Sequence, residues 1–268
     1  MFMETVQIRD LSVSKVILGG NPFSGFSHQG PQRDLEMRRY YTVARIKQTL
    51  RHAERMGVNT HISRADPHVT RYLLEYWDEG GQIQWIAQTC PELGSIERGI
   101  ETAIAGKAKA CCIHGGAMDS LLASHQLDRI PGAMDMIHQA GMAAGFAGHD
   151  PRVLDWAEQA GLDADFYMCS YYNLAHRDTR GERVSGMPEW FNHQDRLVMT
   201  QLIRRLSKPA IHYKVLAGGR NSPREAIECA ARSMRPQDAM CLGVFTKHKP
   251  DMLAEDIRLL EDSLVNAG

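Results

Sequence analysis

The chain has 268 residues, of which 43% are hydrophobic and 24% are charged. This composition predicts one well-filled globular core and excludes intrinsic disorder. The 31 basic and 32 acidic residues give a net charge of −1, without the basic runs typical of nucleic-acid binding. No apolar stretch reaches the roughly 20 residues that span a bilayer, and the N-terminus lacks the layout of a secretory signal. We therefore expect a cytoplasmic protein with a small-molecule substrate and no nucleic-acid or membrane partner, and a homo-oligomer is compatible with the sequence.

The segment 6–20, VQIRDLSVSKVILGG, is typical of a short β-ribbon that leads into a first strand. A loop rich in Gly, Pro and Ser follows over 21–34, before a helical pattern over 40–57 that ends at a glycine. Seven further strand segments then follow: VNTHIS (58–63), IQWIAQT (83–89), ACCIHGG (110–116), MAAGFAGH (142–149), DFYMCSYYN (165–173), PAIHYKVLAGG (209–219) and AMCLGVF (239–245). Helical patterns separate them and close the chain, over 65–81, 95–107, 129–142, 151–162, 193–207, 222–234 and 251–264.

This alternation predicts the fold class. Strands that alternate strictly with helices favour a parallel sheet, and eight such units favour closure into a barrel. We therefore expect a single α/β domain over residues 1–268, a (β/α)8 TIM barrel with a short N-terminal β-ribbon. Its active site should lie at the C-terminal end of the barrel strands.

Side chains of a barrel strand alternate between the interior and the layer that contacts the helices. On the second strand we take Val58, Thr60 and Ile62 as outward, which directs His61 inward. On the seventh strand, outward Ile211 and Tyr213 would leave Lys214 inward. The same reasoning applied to every strand predicts an inward polar ring of Asn21, His61, Gln88, His114, His149, Tyr171 and Lys214. Burying several such groups without partners is costly, so the ring indicates a site for a ligand or a metal.

Within this ring we assign catalytic roles to His114, Lys214 and Tyr171. Lys214 suits acid, base or electrostatic duty, with a Schiff base as the alternative. Substrate binding is assigned to Asn21, Gln88, Asn173 and Arg220. Arg220, which follows two glycines, is a candidate anion clamp, and a surface arginine is the alternative.

Three of the inward histidines offer nitrogen ligands to a divalent metal. His61, His114 and His149 could together bind zinc, manganese or iron. The alternative is that these imidazoles hydrogen-bond a polar substrate without a metal. Ligands on separate strands leave no local spacing in the sequence, so both readings stay open here.

Several motifs together resemble those of the aldo-keto reductase superfamily: LGGNPF, GVNTHISRADPH, IHGGAMD, SYYN, VLAGG and GVFTKHKPDMLAEDI. The resemblance implies a TIM barrel, NADPH as cofactor, and a catalytic Asp, Tyr, Lys and His. His114 matches the histidine, whereas Gln88 stands where the lysine is expected. No tyrosine follows the second strand until Tyr72, inside the next helix. The tyrosine and lysine of the tetrad are therefore absent, which makes NADPH less favoured as a cofactor.

The sequence contains no serine-nucleophile elbow, Walker loop or dinucleotide-binding glycine motif. A rim of imidazoles, one lysine and amide side chains suits proton transfer next to a carbonyl. We expect a lyase, isomerase or epimerase that acts on a sugar-like polar substrate in carbohydrate metabolism, with or without a divalent metal. The alternatives are an NADPH-dependent aldo-keto reductase and a non-catalytic ligand-binding barrel.

Overall fold

The computed structural model describes residues 3–173 and 191–267. An antiparallel ribbon of β1 (Thr5–Ile8) and β2 (Leu11–Ser14) precedes the barrel. The barrel strands are β3 (Val16–Gly19), β4 (Thr60–Arg64), β5 (Gln84–Gln88), β6 (Ala110–Ile113), β7 (Ala143–Gly148), β8 (Phe166–Ser170), β9 (Ala210–Tyr213) and β10 (Ala239–Leu242). They close in chain order, with β10 beside β3 and every neighbouring pair parallel. The predicted TIM barrel with its N-terminal ribbon is confirmed.

The described helices surround the strands. They are α1 (Pro31–Tyr40), α2 (Val43–Arg55), α3 (Pro67–Asp78), α4 (Ile96–Ala105), α5 (Gly115–Ala123), α6 (Ile130–Gln139), α7 (Pro151–Ala160), α8 (His193–Ile203), α9 (Pro223–Ala231) and α10 (Met252–Ala267). Side-chain caps mark several of their starts, such as Asp66 on α3 and Ser95 on α4, because the first turn leaves backbone N–H groups without partners. Among the described residues, no helix combines the length and apolarity needed to cross a membrane.

Two helices lie where the sequence pattern indicated none. α1 begins inside the glycine-rich loop, at a proline whose fixed φ suits the first helical position. α5 begins directly after β6, and its first two residues, Gly115 and Gly116, were assigned to the strand. Since α5 carries part of the site, this difference affects the function.

The ribbon closes the N-terminal end of the barrel. Val6, Ile8 and Val13 pack in one apolar cluster with residues of the barrel interior, among them Ile86 and Phe166. Polar contacts fix this plug, since the Asn59 side chain accepts from the Ser14 N–H at 2.8 Å and the Gln84 amide donates to the Ser12 carbonyl at 2.8 Å.

The predicted orientation of β4 is wrong. Ile62 packs in the interior cluster, and Thr60 accepts from Gln84 inside the barrel at 2.8 Å, so His61 faces the helices. Val58 does lie outside, but it belongs to the turn after α2, where its N–H donates to the Ala53 carbonyl. The position of Val58 therefore does not indicate which side chains of β4 face the interior.

The orientations predicted for Tyr171 and for β9 are also wrong. Ile211 and Tyr213 face the interior, whereas Tyr171 and His212 lie between the strands and the helices. This outer layer is as dry as the interior, and it tolerates polar groups that are paired. The Tyr171 hydroxyl bonds His212 Nδ1 at 2.8 Å, and His212 Nε2 bonds Asp238 at 3.3 Å. A polar residue on a barrel strand is thus no proof of an inward orientation.

Candidate active site

A cavity of about 1380 Å³ opens at the carboxyl ends of the strands and receives residues from the end of each of the eight strands. Five of the predicted site residues line it: Asn21, Gln88, His114, His149 and Lys214. The predicted ring is therefore assembled in part, at the end of the barrel where it was expected.

His149, directly after β7, is held by a carboxylate that the sequence analysis did not single out. Its Nδ1 lies 2.7 Å from Oδ2 of Asp119, on α5, and Asp119 Oδ1 accepts from the Asp150 N–H at 3.2 Å. Because a carboxylate accepts, Nδ1 carries the proton, and Nε2 of the neutral ring keeps a lone pair. His149 is 6% exposed, and Nε2 makes no hydrogen bond with the described residues. His149 therefore presents a basic nitrogen, with a negative charge behind its ring.

Gly115 makes the close approach of α5 to His149 feasible. A Cβ at this position would lie 2.8 Å from Cε1 and 2.9 Å from Nδ1 of His149, and 3.3 Å from the Tyr213 hydroxyl. The missing side chain thus lets the His149 ring pack over the first turn of the helix. The consecutive glycines after β6 are the feature of the sequence that could have indicated this contact.

His114 has the opposite arrangement. It is the N-cap of α5, and its Nδ1 accepts from the Gly116 N–H at 3.0 Å, while its own N–H donates to Thr89 Oγ1 at 3.0 Å. With Nδ1 as the acceptor, the proton of the neutral ring lies on Nε2. The centroids of the His114 and His149 rings are 6.4 Å apart. Two neighbouring imidazoles are therefore held in complementary tautomers, one a donor and one an acceptor at Nε2.

Lys214 reaches the cavity through its backbone. Tyr213 faces inward, so regular alternation would turn the next residue outward, but Lys214 has a left-handed φ of 58°. That conformation is uncommon outside glycine, and such outliers concentrate at functional sites. Lys214 Nζ lies 3.0 Å from Nε2 of His28, which also has a φ of 58°. Asn21 Nδ2 lies 3.2 Å from the same nitrogen, so both donors define His28 Nε2 as an acceptor.

Tyr213 adds a neutral hydroxyl beside the histidines. Its Oη is buried and makes no hydrogen bond of ordinary geometry with the described residues, and its neighbour Ser170 donates instead to the Tyr172 carbonyl. Burial raises the pKa of Tyr213 well above 10, with Asp119 adding to the shift. The hydroxyl therefore stays protonated and available as a donor.

The remaining predicted residues lie elsewhere. His61 is completely buried between β3 and α3, with Nδ1 2.9 Å from the Leu18 carbonyl and Nε2 2.8 Å from the Tyr72 hydroxyl. Tyr171 belongs to the outer network with His212 and does not line the cavity. The assignments of His61 and Tyr171 to the ring are therefore wrong.

Asn173 and Arg220 do not line the cavity either. The Asn173 N–H donates to Asp195. The Arg220 guanidinium donates to the His28 and Ala217 carbonyls at 2.6 and 3.0 Å and lies over the Phe191 ring. It ties the first loop to the loop after β9, and its role as an anion clamp stays a prediction.

The predicted metal ligands do not converge, because both ring nitrogens of His61 are engaged away from His114 and His149. Within 3–173 and 191–267, no group of three or more His, Cys, Asp or Glu side chains is arranged to hold a metal ion.

No protein-family model matches the sequence, and no curated protein matches it. Solved structures do resemble the fold. A glycerol dehydrogenase from Gluconobacter oxydans has a TM-score of 0.57 at 11% identity, with 100% of this chain and 97% of that chain covered. A truncated 3-deoxy-D-arabino-heptulosonate 7-phosphate synthase from Thermotoga maritima has a TM-score of 0.57 at 12% identity, over 99% and 93% of the two chains. An N-acetylmannosamine-6-phosphate 2-epimerase from Clostridium perfringens has a TM-score of 0.51 at 9% identity, over 91% of each. At such identities, the likeness shows that the chain has the TIM-barrel fold shared by these enzymes.

Proposed function

We propose that the protein is an enzyme that moves a proton at the carbon next to a carbonyl in a sugar-like substrate, as an isomerase, epimerase or lyase. The observation that carries the proposal is the pair of complementary tautomers at His149 and His114. Nε2 of one ring can accept a proton, while Nε2 of the other can donate one, as general base and acid chemistry requires. A binding pocket alone needs no such pairing.

The chemistry follows from these roles. His149 Nε2 removes the proton from the carbon. The electrons of the broken C–H bond form a double bond to the carbonyl carbon, and the π electrons of the carbonyl move to its oxygen. Asp119 stabilises the imidazolium that forms, as a positioning residue that does not touch the substrate. His114 donates to the oxygen, and the ammonium of Lys214 stabilises its developing charge. Return of the proton to a different carbon or face gives an isomer or epimer, whereas loss of a group from the adjacent carbon gives elimination.

The structural neighbours support the substrate class. Their names describe a dehydrogenase of glycerol, a heptulosonate phosphate synthase and an epimerase of an amino-sugar phosphate, which are all enzymes of polyhydroxylated compounds. No step is assigned to a metal, because only His114 and His149 of the predicted ligands share the cavity.

Proton exchange with solvent tests the proposal without knowledge of the product. The protein should be incubated in D2O with a panel of aldoses, ketoses and oxidised glycosides, while NMR follows loss of the signal from the C–H next to the carbonyl. Exchange should occur with at least one compound. His149→Asn and Asp119→Asn should each slow it by about 10² to 10⁴-fold.

The control for the histidine change is His125→Asn, since His125 is exposed and outside the cavity. It should exchange at the wild-type rate. Exchange that survives in the His149 and Asp119 variants would contradict the assignment of the base.

A further inference from the structure

The cavity extends well beyond the two histidines. Its volume of about 1380 Å³ exceeds the roughly 300–1,000 Å³ of pockets for drug-sized ligands, and a single sugar ring would leave most of it empty. Part of this space is an outer lobe that runs from His114 along α5. One side of the lobe is formed by Ala117, Ser120, Leu121 and Ser124, which share one face of that helix.

The length of the outer lobe follows from helix geometry. Ser124 lies ten residues beyond His114, and a rise of about 1.5 Å per residue gives a wall of about 15 Å. Ser95 and Ile96, which follow β5, also line the cavity, as do Gln126 and Arg129, which follow α5. The lining along α5 is therefore continued by residues that precede and follow this helix in the chain.

The lining of the outer lobe is mixed. Ile96, Ala117 and Leu121 supply apolar surface, while Ser120 and Gln126 supply a hydroxyl and an amide. A sugar ring has the same character, since its hydroxyls lie around the edge and its C–H groups form an apolar face.

The charges beside the outer lobe are already compensated. Arg64 donates to Glu92 at 2.8 Å, and Arg129 lies 3.9 Å from Glu97. This balance favours a neutral ring in the lobe over a phosphate or carboxylate group.

We propose that the outer lobe binds a second ring, so that the substrate of this site is a glycoside or disaccharide whose reactive ring lies at His114 and His149. This inference rests on the proposed function for the position of the reactive ring. It makes the face of α5 a specificity determinant, with Ser120 at its centre.

A matched pair of tryptophan variants tests the proposal. Ser120 and Ala123 are both exposed on α5, but only Ser120 lines the cavity. Ser120→Trp should fill the outer lobe, whereas Ala123→Trp places the same side chain on the same helix in solvent. Binding of D-glucose, phenyl glucosides of both anomers, maltose and cellobiose should be measured by calorimetry and saturation-transfer NMR.

We expect at least one two-ring probe to bind wild-type protein about tenfold or more tightly than glucose. Ser120→Trp should remove that advantage and leave glucose binding unchanged, while Ala123→Trp should bind every probe like the wild type. The proposal is overturned if no probe binds, if two rings bind no better than one, or if Ser120→Trp keeps the advantage.

The catalytic variant separates this inference from the proposed function. His149→Asn should slow proton exchange by about 10² to 10⁴-fold and still bind the two-ring probe, because it leaves the outer lobe intact. Two-ring binding in a protein that exchanges no proton would refute the chemistry alone, and exchange without a preference for two rings would refute the lobe alone.

Discussion

At the scale of single residues, the site depends on which nitrogen of each imidazole carries the proton. Asp119 fixes one ring and a backbone N–H fixes the other, so the proposed base and the proposed acid differ in their partners rather than in residue type. The sequence predicted His114 and His149 as neighbours in one cavity. It could not predict their different roles, because Asp119 lies on a helix that the pattern did not reveal.

Gly115→Ala should lower activity although it replaces no catalytic residue. The new methyl group would lie within 3 Å of the His149 ring and force it to turn away from Asp119. A displacement of about 1 Å costs roughly 10²-fold in rate, so deuterium exchange should slow by about that factor.

The control for this change is Gly132→Ala, because a Cβ on Gly132, in α6, meets nothing within 4 Å. It should keep full activity and gain about 0.5–1 kcal/mol of stability, measured by urea unfolding. Equal activities of the two variants would show that the close approach at Gly115 has no function.

At the scale of elements, the strand orientations show what a sequence pattern can resolve. On β5, β6 and β7 the bulky apolar residues, such as Trp85 and Phe146, fill the wide layer beneath the helices, and the predicted orientations are confirmed. On β4 and β9 polar side chains were taken as inward, yet His61 and His212 are paired inside the outer layer. Both layers are dry, so polarity alone does not separate them. Lys214 does face the cavity as predicted, but the reason given for it was wrong. Its left-handed backbone brings it there, and no rule of alternating side chains anticipates that conformation.

His61 should make the packing of β4 on α3 sensitive to acid. Burial lowers the pKa of His61 to about 4, while an unfolded chain keeps a value of about 6.5. The unfolded state therefore takes up a proton first as the pH falls. The contribution of neutral His61 to the free energy of unfolding is fully present above pH 6.5. It is lost progressively towards pH 4, and the total loss is about 3 kcal/mol.

The comparison to make is urea unfolding of wild type and His61→Gln between pH 7.5 and 4. The difference between their unfolding free energies should shrink by about 3 kcal/mol across this range. Parallel curves would mean that His61 is not held neutral in the folded protein.

At the scale of the whole molecule, the barrel itself followed from counting eight strand and helix units, because closure needs only that count and a parallel sheet. The first strand segment and the closing helix were also found, since their apolar periodicity is regular. The reaction does not follow from the fold, because TIM barrels support many chemistries through their loops. Here Gln88, at the end of β5, lines the cavity where the resemblance implies a lysine, and Tyr72 is bonded to His61 in the outer layer.

We therefore expect the protein to reduce ordinary aldehydes with NADPH far more slowly than about 1 per second. At the positions that the resemblance implies, no tyrosine reaches the cavity after β4, and Gln88 replaces the lysine at the end of β5. Following NADPH absorbance with glyceraldehyde and benzaldehyde checks this expectation. Aldehyde reduction at about 1 per second would contradict this expectation and favour the reductase alternative.

Removal of metal ions by chelation tests whether the activity or the stability depends on a divalent metal. Because the predicted set of three histidines does not converge, dialysis against EDTA should leave both deuterium exchange and thermal unfolding unchanged. Loss of exchange that zinc, manganese or iron restores would show that a metal takes part.

The ribbon at the base of the barrel limits where a ligand can enter and leave the cavity. Val6, Ile8 and Val13 close the N-terminal end, and the cavity opens at the carboxyl ends of the strands. The first loop borders this opening. Two hydrogen bonds connect it to the loop after β9: Arg220 donates to the His28 carbonyl, and Gln29 donates to the Gly218 carbonyl. Under the proposed function, the product would leave by the route on which the next substrate arrives, and breaking the two ties of the first loop would widen that route.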